Sequence, residues 1–193
     1  MVNLFIESIP PLYLCCDTLI TAADVASASR FQNECRRNEH LAWRRIVRRE
    51  LGRDIVIEYN EVGAPVVDAA ERYISVSHCC DMVAVAISDR AVGVDIESMG
   101  RNFSGVQTRY MTSQEILLTC DSRWAAMAWT AKEALYKLYG MRGVELRGDI
   151  TITLLDIEAQ YAEALLGGVR RAIVEFKFTE NNTVCAVATY KEE

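Results

Sequence analysis

The sequence predicts an α+β fold in two similar halves, on two observations. Helix-patterned residues 33–51 and 123–139 are each followed by strand-patterned segments. There is also an internal echo. Ala42-Trp43 opens a helical stretch ending at Leu51-Gly52 before a strand, and Ala128-Trp129 opens one ending at Tyr139-Gly140 before a strand. The halves divide as residues 1–90 and 91–193.

Leu12 to Cys16 is a short apolar run that reads as a strand, and polar, alanine-rich sequence follows from Thr21. From about Asn33 to Leu51, Trp43, Ile46 and Val47 share one helical face, and Gly52 is a stop signal. Asp54 to Tyr59 alternates, with Ile55, Ile57 and Tyr59 on one side, until Gly63-Ala64-Pro65 breaks it. Strands are predicted at Tyr73–Ser77, Met82–Ser88 and Ala91–Glu97. A short helix falls near Ser113–Thr119. The longest helix runs from about Arg123 to Tyr139, capped by Asp121 or Ser122 and ended by Gly140. Three strands close the chain, Asp149–Leu155, Ala172–Phe178 and Thr183–Tyr190, with Asn181-Asn182 in the last turn.

Half of the residues are hydrophobic and a quarter charged, as in ordinary soluble proteins. No apolar run is long enough for a membrane span, and Met1 to Pro11 carries Glu7 and no basic region, unlike a signal peptide. The seven cysteines, at 15, 16, 35, 79, 80, 120 and 185, lack zinc-knuckle spacing. They read as reduced, mostly buried thiols of a cytoplasmic protein. Net charge is −6, yet Arg30 to Arg53 holds eight arginines against three glutamates, a local +5 on a remainder of −11. That points to one anionic partner surface and argues against a nucleic-acid-binding module.

Three segments carry chemistry. In Val92-Gly93-Val94-Asp95-Ile96-Glu97, strand alternation sends Asp95 and Glu97 to one side, roughly 7 Å apart along the backbone. Two carboxylates so close suit a hard divalent cation, with Gly93 leaving open space beside them; a solvated strand with two exposed acids is the alternative. In Trp129-Thr130-Ala131-Lys132-Glu133-Ala134-Leu135-Tyr136-Lys137, Thr130, Glu133 and Lys137 share a helix face, which also describes a plain i,i+4 surface ion pair. In Ile74-Ser75-Val76-Ser77-His78, one of two histidines ends a strand, either as a structural residue or as a partly protonated phosphate donor.

Ser77-His78, Gly93–Glu97 and Trp129–Lys137 together resemble, in order and spacing, the motifs of the 4′-phosphopantetheinyl transferases of the two-lobed monomeric type associated with secondary metabolism. Arg109-Tyr110 with Glu115, and the loop from Gly140 to Gly143, are similar too; the likeness covers about Leu41 to Leu155. The resemblance implies two lobes with the active site in the cleft between them. It implies transfer of 4′-phosphopantetheine from coenzyme A to a serine of an acidic, helical acyl or peptidyl carrier protein, with release of 3′,5′-ADP. Asp95, Glu97 and Glu133 would hold magnesium, and Glu133 would also serve as base. Lys137 would bind the attacked phosphate, Lys132 would lie near the pyrophosphate, and Ser77 and His78 would contact the nucleotide end. Ala64 stands where many relatives have a lysine for the 3′-phosphate. Arg37, Arg44 and Arg48, within about 40° of one another on a helix, are the candidates to replace it or else form a solvated basic face. A coenzyme A-binding relative with weak or lost transfer is the alternative activity.

Overall fold

Strand β5 (Met82–Ser88) is buried at all seven positions. The reason is layering. Its sheet, in the order β1 (Val2–Ser8), β5, β4 (Tyr73–Cys79), is covered on both faces. On one face, helix α2 (Glu34–Leu51) packs Ala42, Trp43, Ile46 and Val47 onto Ile74, Val83, Val85 and Ile87. On the other, Met82, Ala84 and Ala86 meet Val92, Val94 and Ile96 of β6 (Val92–Ser98), and Cys185 and Val187 of β10 (Thr183–Tyr190). A strand covered on both faces reads as a continuous apolar run rather than an alternating one. The computed structural model describes residues 1–9, 17–69 and 71–192.

A second, antiparallel sheet runs β6, β10, β9 (Arg170–Phe178), β8 (Tyr161–Leu166), β7 (Ile150–Asp156). Helix α4 (Trp124–Tyr139) lies on its outer face, burying Met127, Ala131, Ala134, Leu135 and Leu138 against Ile150, Ala164, Ala172 and Val174. The layers are therefore helix, sheet, sheet, helix, a mixed α+β architecture. Helix-on-sheet packing occurs twice, and the sheets differ in size, with three strands against five.

The remaining elements are α1 (Ala22–Ala28), the hairpin β2 (Ile57–Tyr59) and β3 (Pro65–Val67), a 3₁₀ turn at Ser104–Arg109 and α3 (Ser113–Ile116). Helix α2 starts from Asn33, whose side chain accepts from Cys35 N, and stops at Gly52; α4 stops at Gly140 in the left-handed conformation (φ 61°). The predicted Leu12–Cys16 strand lies outside the described residues. Strands β1, β3 and β8 and helix α1 have no counterpart in the sequence reading. Of the described cysteines only Cys185 is buried; Cys35, Cys80 and Cys120 are exposed, which corrects the expectation of mostly buried thiols. No helix among the described residues is long and apolar enough to cross a membrane.

Candidate active site

Gly93 sets the geometry. A β-carbon there would stand 1.9 Å from Ala134 O and 2.7 Å from Leu138 N, so only glycine lets α4 lie directly on β6. The space beside Gly93 is thus filled by helix backbone, not open as the sequence suggested. This approach brings Glu133 and Lys137 of α4 over Asp95 and Glu97 of β6.

Strand β4 is tied to β6 beside them. Ser75 Oγ accepts from Val94 N at 2.9 Å, and Ser77 Oγ donates to Asp95 Oδ1 at 2.7 Å. Lys137 Nζ donates to Val94 O (2.8 Å), Val76 O (3.3 Å) and Asp95 Oδ1 (2.8 Å). Its three donors already meet three acceptors. Asp95 Oδ2, by contrast, is buried without a hydrogen-bond partner. Glu97 is held at both oxygens: Trp129 Nε1 donates to Oε1 at 2.8 Å and Arg101 Nη1 to Oε2 at 2.5 Å. Glu133 forms no ion pair among the described residues. Burial pushes its carboxyl pKa up, the charges of Asp95 and Glu97 add to this, and Lys137 opposes them.

An orphaned carboxylate oxygen, beside a half-buried glutamate destabilised by two like charges, is the setting a divalent cation relieves. Asp95, Glu97 and Glu133 therefore fit a magnesium ion by donor chemistry. They do not form a ready cage: among the described residues no three His, Cys, Asp or Glu side chains stand grouped as metal ligands. Asp95 is turned to Lys137 and Glu97 to Arg101.

Next to this cluster, α2, β2 and β4 enclose a pocket of ≈ 380 Å³, lined in part by Arg36, Trp43, Tyr59, Ser77, His78 and Lys137. His78 Nε2 lies 3.0 Å from Arg36 Nη1, and Nδ1 3.3 Å from Glu39 Oε2. Burial lowers the His78 pKa, and the Arg36 and Lys137 charges lower it further against Glu39 and Asp95. Arg36 and Glu39 thus flank the ring at its two nitrogens, and the direction of the shift runs against a partly protonated donor. Arg36, which the sequence reading did not single out, is the exposed cation of α2 at this pocket.

Three other expectations are corrected. Lys132 is fully buried and points away from the carboxylates: Nζ lies 2.7 Å from Glu115 Oε1 and donates to Leu146 O (2.9 Å) and Ile150 O (2.7 Å). It lies 100° around the helix from Glu133, on the core face. Arg44 and Arg48 are buried against Asp24 of α1, at 3.0 and 2.7 Å, and Arg48 Nη1 also donates to Ile55 O. They join α1 to α2 and present no charge to a ligand. Arg37, though exposed, donates to Phe31 O and Gln32 O ahead of α2.

The Arg109-Tyr110 and Glu115 segment is structural as well. Tyr110 OH donates to Ala125 O at 2.7 Å and its ring meets Trp129 edge-on at 5.1 Å, while Glu115 accepts from Thr112 N and Ile152 N besides Lys132. Ala64 closes the β2–β3 turn, its N donating to Asn60 Oδ1. Arg142, of the loop after α4, donates to Glu61 O in the same turn.

A carboxylate cluster with Lys137, beside an aromatic and basic pocket, is chemistry suited to phosphoryl transfer. The family model described as the 4′-phosphopantetheinyl transferase superfamily matches residues 91–188, more than half of the chain. The chain belongs to the 4′-phosphopantetheinyl transferase superfamily, which makes it a transferase of phosphopantetheine groups. The match spans Asp95, Glu97, Glu133 and Lys137; Ser77, His78 and Arg36 lie before it. No curated protein matches the chain.

Proposed function

We propose that this protein moves 4′-phosphopantetheine from coenzyme A to a serine hydroxyl of an apo acyl or peptidyl carrier protein, with magnesium, releasing 3′,5′-ADP. We place it with the two-lobed type, as a cytoplasmic monomer split near residue 90 with the reaction between the halves. The observation that carries the reading is Asp95 Oδ2, buried and unpartnered beside Glu133 and Glu97.

Magnesium held by Asp95, Glu97 and Glu133 would supply charge neutralisation on the pyrophosphate oxygens. The chain's own groups do the rest. Ser77 and Lys137 hold Asp95 through Oδ1 and so fix where Oδ2 points. Trp129 does the same for Glu97. Glu133, free of ion pairs among the described residues, accepts the proton of the attacking serine. The nucleotide end of coenzyme A enters the neighbouring pocket, where the exposed Tyr59 offers an aromatic ring and Arg36 a phosphate contact.

A second reading, a coenzyme A-binding relative with weak transfer, is favoured by two observations. Glu97 already pairs with Arg101, and of the arginines that would offset Ala64, Arg44 and Arg48 are buried against Asp24 and Arg37 is engaged by Phe31 O and Gln32 O. Incubation with coenzyme A, magnesium and a panel of apo-carriers, followed by intact mass, separates the two. Stoichiometric gain of one phosphopantetheine on at least one carrier supports transfer. Coenzyme A binding without gain on any carrier supports the second reading.

A further inference from the structure

We propose that Cys79 and Cys80 form a two-thiol site for a thiophilic electrophile of the trivalent-arsenical class. Neighbours in an extended strand point to opposite faces. Here the strand ends between them: Cys79 is the last residue of β4, and Cys80 takes the left-handed conformation (φ 53°) in the turn to β5. The turn swings the two side chains together, and their Sγ atoms stand 3.6 Å apart. Both are free thiols, Cys80 exposed and Cys79 half-buried.

The spacing selects the ligand. Two sulfurs on one pyramidal trivalent arsenic, with bonds of about 2.3 Å at an angle of about 100°, stand about 3.5 Å apart, close to the separation found. A disulfide is a poor match. It usually joins Cα atoms about 4.4–6.8 Å apart, whereas residues adjacent across a trans peptide hold them at about 3.8 Å. The pair is set for a bridging atom.

The chemistry balances without an oxidant. A monosubstituted arsenoxide reacts with both thiols; two S–H bonds break and two As–S bonds form. The arsenic-bound oxygen leaves as water with the two thiol protons, and arsenic stays trivalent. The exposed Cys80 engages first, and the half-buried Cys79 closes the ring within the same molecule. The site uses none of the residues assigned to transfer and does not rest on that assignment.

The test treats the reduced full-length protein with phenylarsine oxide, then with excess monothiol, and counts the remaining adducts by intact mass. Cys15-Cys16 is a second adjacent pair in the sequence and contributes its own count. Cys80→Ser is expected to lower the number of monothiol-resistant adducts by one, and Cys79→Ala to do the same. Cys35→Ser, which removes an unpaired exposed thiol, should change nothing. An unchanged count in Cys80→Ser and Cys79→Ala overturns the proposal.

Discussion

The indole nitrogen of Trp129 donates to Glu97 Oε1 at 2.8 Å, across the interface between α4 and β6. Glu97 sits on a strand that ends at Ser98 and carries an exposed partner, Arg101, on its other oxygen. Trp129 is the half-buried group that fixes it. Its ring is held in turn by Tyr110 and Phe103.

We predict that Trp129→Phe, which keeps the ring and removes the N–H, lowers the transfer rate about tenfold with little change in melting temperature. A hydrogen bond to a charged group is worth about 1.5–3 kcal/mol, and about 1.4 kcal/mol is a factor of ten in rate. A fall in stability without a selective fall in kcat would assign Trp129 to packing alone.

Lys132→Met is predicted to destabilise the fold by about 3–5 kcal/mol, because it leaves Glu115 charged and fully buried without its cation. Denaturant unfolding measures this. A stable Lys132→Met protein that has lost transfer would return Lys132 to the reaction.

The arginines of α2 should separate by function. Arg36→Ala is predicted to raise the KM for coenzyme A several-fold at unchanged stability. Arg44→Ala and Arg48→Ala should lower stability and show no selective effect on the donor, since both face Asp24. Comparison with 3′-dephospho-coenzyme A at fixed ionic strength shows whether Arg36 touches the 3′-phosphate. Ala64→Lys should improve coenzyme A more than the dephospho form. Equal changes on both donors would remove both residues from that contact.

Acid should weaken the α1–α2 junction. Burial, reinforced by the charge of Arg44, lowers the His40 pKa from 6.5 to about 4. Its folded pKa lies below the unfolded one, so the unfolded chain binds more protons between pH 6.5 and 4. Stability is full above 6.5 and falls with pH through that window, by about 2 kcal/mol at pH 5. Urea midpoints at pH 7 and pH 5 measure it. His40→Gln should flatten the difference; an undiminished slope would place the acid sensitivity elsewhere.

What the sequence made legible follows from where each residue's partners lie. Residues 82–87 and 184–188 are apolar runs because both faces of their strands are covered, and such runs are visible without tertiary knowledge. The i,i+2 spacing of Asp95 and Glu97 and the i,i+4 spacing of Glu133 and Lys137 were equally local. Strand β8 was hidden because two of its three inward residues are Ala162 and Ala164, too small to stand out as a pattern. The misassigned charges depended on distant partners. Nothing near Lys132 reveals that Glu115 folds under it, and nothing near Arg48 reveals Asp24, which lies 24 residues earlier. Arg36 was passed over for the same reason: its neighbour, His78, is 42 residues away.

The central claim is that transfer occurs at Asp95, Glu97 and Glu133. Its most direct measurement is the intact mass of an apo-carrier incubated with coenzyme A, magnesium and either the wild-type protein or Glu133→Gln. The account predicts one added phosphopantetheine with the wild type and none with Glu133→Gln at equal melting temperature. Gain at a near wild-type rate with Glu133→Gln would contradict it.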